Sequence, residues 1–179
     1  MVEVARTLDL GCGMDKVHGA IGLDSNPRVK PDVLHDLDQV PYPFPDDFFD
    51  RVVCQNVIEH VEQPLRVLAE LSRISRSGAL IELSTPHFSS PDAFTDPTHL
   101  HALTSRSFDY LVPGTQLFDL SYGDVTFEKV SILLTFIDLP RGLQRIVPRL
   151  ANRNLLRYER RWTYLFPAHQ MLVKLRVVK

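Results

Sequence analysis

Residues 7–26, TLDLGCGMDKVHGAIGLDSN, decide how the rest of the chain is read. Residues 7–10 carry the apolar side chains of a short buried strand. Gly11-Cys12-Gly13 follows at once, with the freedom for a tight turn in which backbone can come close to a ligand. A second apolar run over 20–23 ends in Asp24. A carboxylate at the end of a second parallel strand is well placed to accept hydrogen bonds from ribose hydroxyls. Strand, glycine turn, strand, acid is the outline of a nucleotide-binding corner. Asp9, Gly11, Cys12 and Gly13 form its turn, and Asp24, Ser25 and Asn26 form its far side.

Two cofactors suit such a corner, a nicotinamide dinucleotide and S-adenosylmethionine. The dinucleotide fingerprint G-x-G-x-x-G places a third glycine where this chain has Lys16. A lysine there obstructs the close helix-to-strand packing that the third glycine provides. S-adenosylmethionine has no pyrophosphate to cradle and needs only the first turn. The gap between the two apolar runs leaves room for at most about two helical turns at ~1.5 Å per residue, so the first crossover helix is expected to be abbreviated or absent.

The following segments narrow the choice. LDLGCG, then GLDSNP, then DVLHDLDQVPYPFPDDFFDRVVCQNVIEHVEQP, then LRVLAELSRISRSGALIELSTP stand in an order that resembles the class I S-adenosylmethionine-dependent methyltransferases. The resemblance is closest to small bacterial and archaeal members of the methyltransferase-11-like group and covers roughly residues 6–112. It implies an α/β, Rossmann-like fold with a seven-stranded, mostly parallel sheet in the order 3-2-1-4-5-7-6, the last strand antiparallel. It also implies S-adenosylmethionine as cofactor, with the Asp36 carboxylate taking the adenine amine and Leu37 covering the ring. The implied activity is O- or N-methylation of a small metabolite or of a sugar or lipid intermediate.

Length and composition agree with this class. The 179 residues suit one domain, 1–179, with a sizeable core. Apolar content of 44% and charged content of 23% are those of an ordinary globule, and a net charge of −2 makes no case for a nucleic-acid partner. No apolar run approaches the ~18 residues of a membrane span and no signal-peptide pattern is present, so a cytoplasmic location is expected. Cys12 and Cys54 lack C-x-x-C spacing and are read as reduced thiols rather than a zinc pair.

Along the chain, residues 31–36 read as a third strand, and prolines 41, 43 and 45 exclude regular structure before a fourth strand over 51–55. Gln55 and Asn56 emerge at its carboxyl end, where open parallel sheets bind ligands, and are assigned to the amino-acid part of the cofactor. Pro64 opens a helix expected to run through Arg76 and to end at Gly78. A fifth strand over 79–84 is then broken by Thr85-Pro86. Few residues precede the first strand, so any lid is expected elsewhere. Residues 86–122, which hold His87, His99 and His101, form an insertion suited to cover the site and select the acceptor, with Thr104 as N-cap of a helix through Leu111.

Methyl transfer to a hydroxyl or ammonium group needs a base near neutral pH, and imidazole suits that task. Glu59-His60 leads the candidates, with His99 or His101 assisting. In ubiquinone O-methyltransferases and small-RNA 3′-end methyltransferases a similar stretch reads E-x-x-E-H and holds a divalent cation. Here Asn56 replaces the first Glu. The missing charge weakens such a site, so no metal is expected; Glu59, His60 and His99 are the ligands if one binds.

Two β-rich runs, 125–137 and 169–178, suit a final antiparallel pair. Between them arginine recurs at 141, 145, 149, 153, 157 and 161. The stripe reads as a solvated helix face, with an anionic lipid or sugar phosphate as the alternative partner, and Pro148 is expected to break the helix. Tyr158, Trp162, Tyr164, Phe166 and Pro167 read as core; a partner subunit, as in a homodimer, or a membrane surface is the alternative. Two other functions compete with methyl transfer: a non-catalytic cofactor-binding or scaffold protein, and an NAD(P)-dependent oxidoreductase.

Overall fold

The computed structural model describes residues 5–120 and 125–179. Five short runs rich in apolar side chains form parallel strands: β1 (Thr7–Leu10), β2 (Ile21–Asp24), β3 (Val33–Leu34), β4 (Phe49–Gln55) and β5 (Ser75–Pro86). β6 (Thr126–Leu134) and β7 (Gln170–Val178) complete a seven-stranded sheet in the order β3-β2-β1-β4-β5-β7-β6, with β7 antiparallel to both neighbours. This is the expected order. Leu8, Leu10, Val52, Cys54 and Ile81 in the central strands are fully buried, as strands covered on both faces require. Helix α1 (Pro64–Ile74) lays Val67, Leu68, Leu71 and Ile74 into that core.

No helix joins β1 to β2. Carboxylates hold the connecting loop instead. Val17 N–H donates to Asp9 Oδ2 at 2.7 Å, Gly13 N–H to Asp24 Oδ2 at 2.9 Å, and Gly22 N–H to Asp32 Oδ2 at 2.7 Å. Lys16 closes the set with a 2.6 Å ion pair to Asp32. The backbone groups that a crossover helix would satisfy internally are met here by side chains.

Several local expectations are corrected by tertiary contacts. α1 ends at Ile74 rather than Arg76 and passes straight into β5, so Gly78 lies inside the strand rather than closing the helix. The proline loop causes this: Asp47 N–H and Phe48 N–H donate to the carbonyls of Arg73 and Ile74, taking the acceptors a further turn would use. β5 also continues through Thr85-Pro86, because β7 pairs with it up to Gln170 opposite Pro86. The third strand shrinks to Val33–Leu34. Residues 104–111 form turns and a short 3-10 helix over Asp109–Leu111, because the buried Asp109 carboxylate is drawn to Arg106 and to Lys129 of β6.

The C-terminal third carries α3 (Ile146–Arg153) and α4 (Leu155–Arg161), preceded by the four-residue α2 (Asp92–Thr95) in the insertion. Pro148 does not break α3. It sits in the first turn, where its missing N–H has no intrahelical acceptor. The break falls at Asn154, whose side chain accepts from Arg157 N–H and caps α4. All six arginines of the stripe are exposed. Of the expected aromatic core only Tyr158 is buried; Trp162 is 47% and Tyr164 87% exposed, and Pro167 is exposed. Two short helices offer too little apolar surface to bury the whole cluster.

A knot around Glu70 fixes the proline loop to α1. The nearly buried Glu70 carboxylate accepts from Tyr42 N–H at 2.6 Å and pairs with Arg73, which also reaches the Phe44 carbonyl at 3.0 Å and Asp46 at 2.5 Å. Arg73→Ala leaves that buried charge without its partner and should destabilise the protein by about 3 kcal/mol in urea unfolding.

Candidate active site at the carboxyl ends of β1, β2 and β4

The turn after β1 is a product of its two glycines. Gly11 has φ +64°, and a Cβ on it would lie 2.3 Å from Val57 Cγ2, so the position excludes any side chain. Its N–H donates to Leu23 O at 2.7 Å, tying the turn to β2. Gly13 also lies at positive φ, yet a Cβ there would meet nothing within 4 Å. That open side leaves the backbone approachable. Cys12 is buried, its Sγ against Gly22, and burial raises its thiol; its sulfur therefore packs behind the turn.

Asp24 stands at the end of β2. Its two oxygens accept from Gly13 N–H at 2.9 Å and Asn26 N–H at 2.8 Å. A carboxylate offers about four lone-pair sites, so two remain for ribose hydroxyls. Ser25 and Asn26 are exposed beside it, and the Asn26 side chain accepts from Arg28 N–H. Asp36 is exposed and accepts from Asp38 N–H and Gln39 Nε2, closing its own turn, while Leu37 is half-buried against the core. Gln55 is exposed at the end of β4, and Asn56 follows at φ +51°, a left-handed conformation that Asn tolerates, with its N–H on Ser84 O at 2.8 Å.

Beyond Asn56 the chain turns inward and buries Val57, Ile58 and Glu59. Glu59 is 1% exposed, and neither carboxylate oxygen has a hydrogen-bond partner among the described residues. Burial raises its pKa. The insertion then returns over this point: Leu100 N–H and His101 N–H both donate to Glu59 O, at 2.8 and 3.2 Å. That contact sets His99 against His60, ring centroids 4.6 Å apart. One ligand atom each from Glu59, His60 and His99 lie within 4.8 Å of one another. A cavity of about 570 Å³ opens here, lined by Asn56, Glu59, Asp96, His99 and Gln170 among others.

His101 does not join this group through its ring; Nε2 meets Val61 O at 2.9 Å. His87 is fully buried, between Ser89 Oγ at 2.8 Å and Glu159 Oε1 at 3.3 Å, and ties the end of β5 to α4. Burial raises the Glu159 carboxyl, but His87 and Ser105 N–H outweigh it and the net shift is downward. Three groups at or beside the cavity went unassigned from sequence: Asp96 and Gln170 line it, and Thr98 lies behind His60. Asp96 accepts from Thr98 N–H and hydroxyl, Thr98 sits on His60 Nδ1 at 3.0 Å, and Gln170 has a buried Oε1 with no partner among the described residues. The Asp-Pro-Thr-His run at 96–99 carried a turn signal for the first two.

Residues 8–83 match the methyltransferase-domain family. In fold, the chain is similar to a S-adenosylmethionine-dependent methyltransferase from Archaeoglobus fulgidus (22% identity, TM-score 0.56, 96% of this chain and 86% of that one). It is also similar to a S-adenosylmethionine-dependent methyltransferase from Mesorhizobium loti (18%, 0.59, 98% and 93%) and to the [4+2]-cyclase SpnF (14%, 0.56, 97% and 74%). No curated protein matches it in sequence. The sheet order is that of the methyltransferase fold of these structures, and the segment matched by the methyltransferase-domain family holds the glycine turn and, from Leu8 on, strands β1 to β4. Two of these similar structures are described as S-adenosylmethionine-dependent, and the open side of Gly13 and the spare lone pairs of Asp24 would accommodate that cofactor here. Lys16, paired with Asp32 where a dinucleotide site has its third glycine, leaves no pyrophosphate cradle.

Gly11→Ala combines a left-handed backbone with a clash against Val57 and should cost about 3 kcal/mol in thermal or urea unfolding. Asp9 gives a pH signature. Burial raises its carboxyl above the usual 3.8, so the folded protein keeps a proton that the unfolded chain has released. Its contribution to stability therefore falls as pH rises through that window. Urea unfolding at pH 4 and pH 7 should show the stability of Asp9→Asn, relative to wild type, rising with pH.

Proposed function

We propose that this chain transfers a methyl group from S-adenosylmethionine to an oxygen or nitrogen of a small metabolite or of a sugar or lipid intermediate. The observation that carries this reading is the Gly11–Gly13 turn, bonded to Asp24, standing on the same sheet edge as the cavity at Asn56, Glu59 and His99. When bound, S-adenosylmethionine supplies an electrophilic methyl on a sulfonium. Asp24 would hold the ribose, Asp36 and Leu37 the adenine, and Gln55 and Asn56 the methionine end. Asp9 sets the turn through Val17.

The acceptor enters the cavity, and most of the rate comes from orienting its nucleophile; well-oriented pairs gain roughly 7 to 11 kcal/mol. Glu59 and His99 line it, with His60 beside them, and would take up or redirect its proton, while His101 fixes the segment that carries His99. We read residues 1–179 as one methyltransferase domain and 86–122 as the acceptor-selecting insertion, of which 121–122 lie outside the described residues. No helix among the described residues is long and apolar enough to cross a membrane. A cytoplasmic enzyme, with a homodimer as its assembly, accords with this reading.

The similarity to a cyclase marks the alternative, a use of the fold other than methyl transfer. Isothermal titration with S-adenosylmethionine and S-adenosylhomocysteine, followed by a radiolabelled methyl-acceptor screen, separates the two. Wild type should bind both ligands, and Asp24→Ala should weaken binding at least about tenfold, the worth of one lost charge-assisted hydrogen-bond pair. Folded wild type that binds neither ligand would sink the proposal; binding without methyl transfer to any acceptor would favour the alternative.

A further inference from the structure

The charge of this chain is unevenly placed. Residues 139–166 hold seven arginines and one acid, a net +6 in a chain of net −2, so the remainder carries −8. The acid, Glu159, is turned inward: its side chain is 8% exposed, pairs with His87 and accepts from Ser105 N–H. All seven arginines are exposed, and none has a carboxylate or hydrogen-bond partner for its guanidinium among the described residues. A solvated helix face ordinarily interleaves both signs of charge and keeps its apolar side chains inward. This face does neither.

On α3 the buried side is Val147 and Ala151, and the outward side is Ile146, Arg149, Leu150 and Arg153, at i, i+3, i+4 and i+7. Apolar and cationic side chains therefore share one exposed stripe. α4 and the turn after it continue the pattern, with Leu156, Arg157, Arg160 and Arg161, then Trp162, Tyr164 and Leu165, all exposed. A cavity of about 700 Å³ lies at the two helices, lined by Val147, Leu150, Tyr158 and Trp162 together with Arg153 and Arg157. Aliphatic side chains beside unpaired guanidinium groups suit acyl chains with anionic headgroups. Single-stranded nucleic acid stacks its bases on aromatic faces, and the exposed Ile146, Leu150, Leu156 and Leu165 offer none. A second copy set on this face by a twofold axis would place arginines against arginines.

We propose that the α3–α4 face docks this protein on an anionic lipid bilayer surface. The arginines take the lipid phosphates, and Ile146, Leu150, Trp162 and Leu165 enter the boundary between headgroups and acyl chains. Long arginine stems lie along apolar surface while their guanidinium groups reach the headgroups, and tryptophan settles at the same level. The remainder of the chain, at −8, is repelled by such a surface, so the charge distribution also orients the approach. Docking brings the candidate acceptor site to the membrane. Phe166, a further wall residue of the α3–α4 cavity, also lines a second cavity of about 290 Å³ that extends to Asp92, and Asp92 lines the cavity of Glu59 and His99. Face and site thus adjoin through shared walls, which favours an acceptor carried on a lipid. That choice of acceptor rests on the methyl-transfer reading; the docking does not.

Trp162 is the sole tryptophan of the chain, so its fluorescence reports on this face directly. The full chain is titrated with vesicles of phosphatidylcholine alone and of phosphatidylcholine with phosphatidylglycerol, at low and high salt, with co-sedimentation measured alongside. Anionic vesicles should bind the protein and shift Trp162 emission to the blue, neutral vesicles should bind at least about tenfold more weakly, and high salt should loosen the anionic complex. Arg149→Gln combined with Arg153→Gln should weaken vesicle binding at least about tenfold, from about fivefold for each cation near the surface. Leu150→Ser should reduce the blue shift, and both variants should bind S-adenosylhomocysteine as wild type does. Wild type that ignores anionic vesicles, binds neutral ones equally well or binds without a blue shift overturns the proposal. So do arginine variants that bind as tightly as wild type, tighter binding to a single-stranded RNA oligonucleotide, or a dimer that these variants dissociate and that takes up no vesicles. Vesicle docking by protein that binds no S-adenosylhomocysteine supports the proposal and counts against methyl transfer.

Discussion

The connection between β1 and β2 sets the terms for the rest of the molecule. A parallel pair needs a crossover, and a helix normally supplies it while satisfying its own backbone. Ten residues without a helix leave N–H groups to be met by other partners, and Asp9 and Asp24 meet two of them, at Val17 and Gly13, while Asp32 takes Gly22 N–H in β2. Asp24 therefore has two tasks. It fixes the shape of the glycine turn through Gly13, and it holds the following turn through Asn26 N–H.

The same economy shows on the acceptor side. Among its described residues the insertion after β5 has no long helix, and it is held where it is by bonds to buried groups of the main fold. The Glu59 carbonyl receives two of its N–H groups, and Glu159 of α4 receives Ser105 N–H and His87. Those anchors bring His99 to His60. A residue one strand-end away from the cofactor corner thus faces a residue some forty positions later in the chain, and the cavity lies at their meeting point.

Much of this was legible beforehand, and the reasons differ by residue. Gly11, Gly13 and Asp24 announce themselves because a tight turn and a strand-end acid restrict residue type strongly. The sheet order followed from the resemblance those segments carry. The end of α1, the course of 104–111 and the place of Pro148 were misread, because each was settled by a distant group: the proline loop's N–H donors, Lys129 of β6, and the register of α3. Glu159 gave no sequence signal at all, since its partner His87 lies more than seventy residues away.

The sequence by itself determined the glycine turn with its strand-end acid, the parallel core and the absence of room for a first crossover helix, because backbone sterics and apolar spacing act over a few residues. Only the tertiary structure decided which histidines gather at Glu59 and that His99 lines the cavity. His60, His87, His99 and His101 are chemically alike in the sequence. His87 is held by Ser89 and Glu159 and the His101 ring by Val61 O, while the rings of His60 and His99, held through Nδ1 by Thr98 and by Ala93 O, stand beside Glu59. That division comes from hydrogen bonds across the fold, which no local pattern encodes.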